Sequence, residues 1–221
     1  MLMVGLALLG SRARGDHGED ADVDLLGVET GPPARTVVYG RCTLSCYPLD
    51  DILRHARSGD LFALHIASEA KVIYEARPVF EHIKRAFTYR PDYSREIRLA
   101  SDVGWFLVRY CERFRSGKVL NEKVAWCTRT MLIAEAAAQR RPIFSAAALS
   151  EFAGSGAVRT LIEHKDSAEL DFGMMETFRG VLRTFGAAEP PMLRTLAEQK
   201  CAFETDGNTP GVRAISAMTK S

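Results

Sequence analysis

Residues 2–28 read LMVGLALLGSRARGDHGEDADVDLLGV, and this stretch decides how the chain is read. The apolar run at 2–9 is short and is stopped by Gly10-Ser11. Short length and a glycine stop favour a buried strand over a helix. Residues 22–28 open with polar and apolar positions in alternation, which predicts a second strand with Asp22 and Asp24 on one face and Val23 and Leu25 on the other. The ten residues between Ser11 and Asp22, RARGDHGEDA, are polar and contain glycine, the composition of a turn segment.

Two acids at i and i+2 of a strand project together. Their carboxylates repel unless a cation lies between them. Hard oxygen donors at this spacing suit Mg²⁺, which is commonly held by one or two carboxylates plus substrate phosphates. Glycine at position 10 lets a phosphate approach the backbone, and the Ser11 hydroxyl and neighbouring N–H groups can donate to phosphate oxygens. Arg12 and Arg14 add positive charge beside that turn. The expected site is therefore Gly10, Ser11, Arg12 and Arg14 for phosphate, with Asp22 and Asp24 for the metal. Asp16, Glu19 and Asp20 read as solvated loop charges.

Working outward, residues 30–35 (TGPPAR) are read as loop and 36–47 (TVVYGRCTLSCY) as one β-branched and aromatic strand with a bulge at Gly40. Pro48 opens a helix whose first turn carries Asp50 and Asp51. A helix over 60–70 and a short strand at 71–75 (KVIYE) follow. From residue 78 the periodicity becomes helical, with long stretches at 92–117 and 119–138 divided by Ser116-Gly117 and forming a helical hairpin. Shorter helices are predicted near 145–153, 156–164, 168–185 and 191–202. Trp105 and Trp126 read as core, and His65 as a hydrogen-bonded structural histidine on an apolar helix. The fold class is α+β: a small mixed-sheet domain over 1–88, an all-helical bundle over 89–203, and a polar flexible tail over 204–221.

The run LLGSRARGDHGEDADVDLL at 8–26 resembles the signature of the DNA polymerase β-type nucleotidyltransferases, especially the minimal and kanamycin-nucleotidyltransferase-like members. The stretch SGDLFALHIASEAKVIYE at 58–75 is similar to the end of that family's catalytic domain. The resemblance spans about residues 3–76. It implies transfer of a nucleoside monophosphate from an NTP, with ATP the first choice, to an acceptor hydroxyl with release of pyrophosphate. It also implies that Asp22 and Asp24 ligate Mg²⁺ and take part in catalysis, while Gly10 and Ser11 hold the triphosphate. The family's third carboxylate, on the next core strand, has no counterpart: RCTLSCY at 41–47 offers Thr43 and Ser45 there. Glu29 has the wrong strand parity, and Asp50 and Asp51 come later. Glu122 and Glu135 are helical-domain acids that no motif assigns.

Composition fits this reading. At 47% hydrophobic and 26% charged the chain is globular. A net charge of +1 gives no bulk attraction to nucleic acid, so a small molecule or a protein is the expected acceptor rather than RNA or DNA. The five cysteines are odd in number with no CxxC pair, as in a reduced, cytoplasmic protein. The apolar start lacks a basic n-region, so it is not read as a secretory signal. No run reaches membrane-spanning length, so no membrane is expected as partner. Relatives with helical domains suggest a homodimer by analogy. A second functional class is a nucleotide-binding regulator, or antitoxin-like protein, without transfer activity. The helical half is read as free of an RxxxxH ribonuclease motif.

Overall fold

The computed structural model describes residues 2–19, 21–31, 33–169 and 171–220, with side chains to 218. The chain divides between Pro91 and Asp92 into two compact units. It is α+β: a five-stranded mixed sheet with its helices, then an all-helical unit.

In the first unit β1 (Leu2–Leu9) leads through a one-turn helix α1 (Gly10–Arg14) and a loop to β2 (Val23–Thr30). A hairpin follows, β3 (Arg35–Tyr39) and β4 (Cys42–Pro48), then α2 (Leu49–Arg57), α3 (Leu61–Glu69), β5 (Lys71–Glu75) and α4 (Val79–Ala86). The strand order is β3-β4-β2-β1-β5. β2 and β4 are parallel and every other pair is antiparallel. Ala7, Leu26 and Val28 of the central strands are buried against Ile52 and Ala56 of α2, Ala63 and Ile66 of α3, and Ile83 of α4. Each large apolar side chain so buried contributes about 1.5–3 kcal/mol. This packing fixes α3 on the sheet. The α3 N-terminus is capped by Asp60, which accepts from the Phe62 N–H at 2.8 Å.

Two sequence expectations change here. The single strand over 36–47 is two strands. Gly40, with φ 56, occupies the first position of a two-residue turn between Tyr39 and Cys42, the position where primed hairpin turns need a positive φ. The polar segment after Ser11 is not all turn: it opens with α1, which Gly15 ends in the left-handed region at φ 83.

The second unit comprises α5 (Ser94–Tyr110), α6 (Gly117–Ala138), α7 (Ala146–Ala153), α8 (Gly156–Glu163), α9 (Phe172–Phe185), α10 (Leu196–Thr205) and α11 (Thr209–Lys220). Its core centres on Leu107, Met131, Leu149, Leu161, Phe178 and Leu182. Ser116 caps α6 by accepting from the Val119 N–H at 3.4 Å. Within α6, Asn121 donates to the carbonyls of Ser167 and Glu169, both at 3.0 Å, and so holds that loop.

Within the tail expected over 204–221, residues 209–220 form α11 instead. Phe203, Ala214, Ile215 and Met218 are buried in the same core. Asn208, 1% exposed, donates to the Leu99 carbonyl at 2.9 Å and accepts from the Gly211 N–H at 3.1 Å. Pro210 sits in the first turn of α11, where a missing N–H costs nothing. Of the two tryptophans read as core, Trp105 is buried but Trp126 is 38% exposed. Asp20, read as a loop charge, lies outside the described residues, as do Pro32 of the 30–35 loop and Leu170 of the 168–185 stretch.

Candidate functional site

The site is built where β1 ends. Leu9 is paired with Asp24 across the β1–β2 ladder, and Thr43 of β4 is the Cα partner of Asp24 on its other side. Asp24 is thus flanked by two neighbouring strands, yet its side chain is exposed. Gly10 turns the chain out of β1 with φ 70. A Cβ at that position would lie 3.0 Å from Asp24 Oδ2, so any larger residue would crowd the carboxylate as well as strain the backbone. Asp22, two residues upstream just before β2, is also exposed. Neither the Asp22 nor the Asp24 side chain has a hydrogen bond or ion pair with another described residue.

Asp24 opens onto a cleft of about 190 Å³ whose wall includes Leu9, Thr43, Ser45, Phe62 and His65. The two hydroxyls come from β4, and Phe62 and His65 from α3. Small-molecule sites commonly run to roughly 300–1,000 Å³, so this cleft suits the reacting end of a ligand rather than the whole of it.

The expected phosphate residues part company. Gly10 lies beside Asp24, and Ser11 follows it in α1. Arg12 is used by the fold: its Nε and Nη2 donate to the Ala21 carbonyl at 3.1 and 2.8 Å, closing the loop that delivers Asp22. Arg14 is used as well. It pairs with Asp16 at 3.1 Å and with Glu69 of α3 at 2.7 Å, tying α1 to α3. Both guanidiniums therefore have protein partners, because backbone carbonyl and carboxylate acceptors lie within their reach.

His65 is expected as a hydrogen-bonded structural histidine on α3. It does make the expected hydrogen bond, from Nε2 to Glu69 Oε2 at 2.8 Å. Its place, however, is the wall of the Asp24 cleft. The signal was available in the i, i+4 spacing of His65 and Glu69, but only the packing of α3 shows which way that face turns.

Among the acids weighed as substitutes for a third carboxylate, Glu29 and Asp51 of the first unit are engaged elsewhere. Glu29 is buried and bidentate to Arg35, with Arg35 Nη2 donating to Oε1 at 2.7 Å and Nη1 to Oε2. That hydrogen bonding holds the Glu29 carboxyl below the usual carboxylate range, against the opposing effect of burial. Asp51 pairs with Arg54 on α2. In the second unit Glu135 lines a cleft of about 470 Å³ with Arg141 and Phe152, and Glu122 lies 4.0 Å from Lys118. Among the described residues no group of three or more His, Cys, Asp or Glu side chains could hold a metal ion. The donors present fit a hard cation whose remaining ligands come from a bound substrate: two unpaired carboxylates, with the Thr43 and Ser45 hydroxyls beside them. They do not fit an all-protein cage.

One reading of the helical half is corrected. Arg159 and His164, with TLIE between them, do stand at the RxxxxH spacing. Arg159 is paired with Glu163 at 2.8 Å, and His164 Nε2 is buried without a hydrogen-bond partner.

No family model matches the chain, and none of the curated proteins matches it. Among solved structures it is similar to the crystal structure of a nucleotidyltransferase-like protein from Exiguobacterium sibiricum 255-15. The likeness is at 14% identity with a TM-score of 0.33, and covers 83% of this chain and 68% of that one.

Proposed function

We propose that the chain is a nucleotidyltransferase that moves a nucleoside monophosphate from a Mg²⁺-bound NTP to an acceptor hydroxyl. The observation that carries this is the Asp24 carboxylate, which has no side-chain partner among the described residues, beside Gly10 and at the mouth of a cleft that also holds the Thr43 and Ser45 hydroxyls. Asp22 and Asp24 hold the cation, which when bound screens the phosphate charge and orients the α-phosphate. Gly10 lets phosphate oxygens reach the backbone, and the Ser11 hydroxyl donates to them. Thr43 and Ser45 line the approach of the acceptor. The acceptor is a small molecule or protein hydroxyl, in keeping with a net charge of +1.

A second reading has its own support. Thr43 occupies the position beside Asp24, on the neighbouring strand, where a third carboxylate would complete a two-metal site. That substitution favours a nucleotide-binding regulator without transfer.

Thermal unfolding with Mg²⁺ and each of the four NTPs separates these readings from a site with no nucleotide role. A ligand at about 100 times its dissociation constant adds roughly 2.7 kcal/mol. A Mg²⁺-dependent shift lost in the Asp22→Asn/Asp24→Asn variant is the expected result. Pyrophosphate release then divides transferase from regulator. No shift with any NTP in a folded chain would sink both.

A further inference from the structure

The second unit holds a cleft of its own, at the C-terminal ends of α6 and α9. Its volume is about 470 Å³. That lies within the roughly 300–1,000 Å³ typical of small-molecule sites. Glu135, Gln139 and Arg141 line it from the end of α6 and just beyond, Phe152 from α7, and Phe185 from the last position of α9. Phe152 and Phe185 pack against the core of this unit, so the apolar wall of the cleft is anchored.

The two charges in the cleft are opposite, yet they do not meet. Neither Glu135 nor Arg141 has an ion pair with a described residue. Each is held where it stands by a neutral neighbour. Gln139 Nε2 donates to Glu135 Oε1 at 3.1 Å, which leaves Oε2 without a partner among the described residues. The Arg141 guanidinium lies over the Phe152 ring, 5.0 Å from its centroid. Stacking uses the face of the guanidinium and leaves its in-plane N–H donors available.

The backbone fixes this separation. Arg140 has φ 58, and among the described residues it is the one non-glycine residue in the left-handed region. An L-residue is disfavoured there, but the conformation closes α6: the Arg140 N–H donates to the Ala137 carbonyl at 2.9 Å and the Arg141 N–H to the Ala136 carbonyl at 2.8 Å. Arg141 is thereby turned back onto the cleft. On the other side, a Cβ at Gly186 would lie 2.6 Å from the Leu182 carbonyl oxygen and 2.8 Å from Ser101 Oγ, so the chain leaving α9 runs tight against the core. Ser101 Oγ accepts from the Ala187 N–H at 2.8 Å and pins that exit.

We infer that this cleft binds a small zwitterion, a free amino acid with an apolar or aromatic side chain. The ammonium group meets Glu135, where the negative ends of the α6 and α9 dipoles also favour a cation. The carboxylate takes the in-plane donors of Arg141, the planar pairing that guanidinium suits best. The side chain lies on Phe152 and Phe185. Both charges are already in place and apart, so little ordering is needed on binding. Nothing in this site depends on nucleotide binding in the first unit.

The test is thermal unfolding of the full chain with each of the twenty free amino acids at about 10 mM, roughly 100 times a dissociation constant of 0.1 mM. The expected result is a rise in melting temperature of about 2–4 °C or more with at least one apolar or aromatic amino acid. The N-acetyl and carboxamide forms of that amino acid each lack one charge and are expected to lose most of the shift. By calorimetric titration, Glu135→Gln and Arg141→Gln are each expected to weaken binding about tenfold or more. Lys200→Gln, at an exposed position on α10, keeps the wild-type affinity.

No shift with any amino acid overturns the inference, as does a shift confined to polar or charged ones. A shift that survives N-acetylation marks an anion site at Arg141 alone. One that survives amidation marks a cation site at Glu135 alone, and either result is against the zwitterion. Unchanged affinity in either variant places the ligand elsewhere. If a variant does not fold, the two derivatives tested on wild type decide.

Discussion

Gly10 and Asp24 are packed so that a Cβ on the glycine would lie 3.0 Å from the aspartate Oδ2, and the glycine backbone is in the left-handed region at φ 70. Replacing Gly10 with alanine therefore does two things. It places an L-residue where the backbone disfavours it, at a cost of about 1–2 kcal/mol. It also pushes a methyl group against the carboxylate proposed to hold the cation. The expected outcome is a modest fall in melting temperature and a loss of Mg²⁺-dependent NTP stabilisation larger than that fall. Thermal unfolding with and without Mg²⁺–NTP checks it. An alanine variant with the wild-type ligand shift would show that the turn does not meet the nucleotide.

Glu29 makes stability depend on acid. Its hydrogen bonds from Arg35 hold the folded-state carboxyl below its unfolded value. As pH falls through the ordinary carboxylate range of about 4.3, the unfolded chain takes up the proton first. The contribution is thus fully present above that range and is lost as pH drops through the depressed folded value. Glu29→Gln is expected to lower stability at pH 7 and to flatten the acid limb of a stability–pH curve measured by urea unfolding. A variant curve parallel to wild type between pH 5 and 3 would contradict the assignment.

Two helical glycines should respond in opposite senses. Gly180, inside α9, has open space where a Cβ would go. Alanine there gains up to about 1 kcal/mol of helix propensity. Gly117, at the start of α6, lies against the backbone of Ala168 and Glu169, with the Glu169 carbonyl carbon 2.7 Å from a built Cβ. Backbone held by Asn121 has little room to yield. Gly117→Ala is expected to lose about 1–3 kcal/mol as an overpacked site. Denaturant midpoints of the two variants, compared with wild type, read the sign directly.

Thiol reactivity should follow burial. Cys201 on α10 is exposed, whereas Cys127 on α6 is fully buried and its thiol is pushed up by that burial. Burial raises Cys46 and Cys111 as well. Since the thiolate is the reactive form, Cys201 is expected to react first with a chromogenic disulfide and Cys127 only on unfolding. Peptide mapping of the labelled chain checks the order. Early labelling of Cys127 would mean that the α6 core opens in the native state.

The sequence by itself determined the elements whose information is local. The apolar run at 2–9, its stop at Gly10 and the alternation from Val23 each belong to one segment, so the two strands were legible without a fold. So was the change from mixed to helical periodicity after residue 78. Only the tertiary structure decided what required two distant segments to meet. Gly40 read as a bulge until the pairing of Tyr39 with Cys42 showed a hairpin. Arg12 and Arg14 looked available for phosphate until Ala21 and Glu69 came within hydrogen-bond reach. The last helix looked like a polar tail because its few apolar residues gain their burial only against α5 and α10. His65 changed most. Helical spacing could give it Glu69, but only the packing of α3 on the sheet could put it on the Asp24 cleft. A side chain's chemistry is carried in the sequence, whereas its neighbours across the core are set by packing.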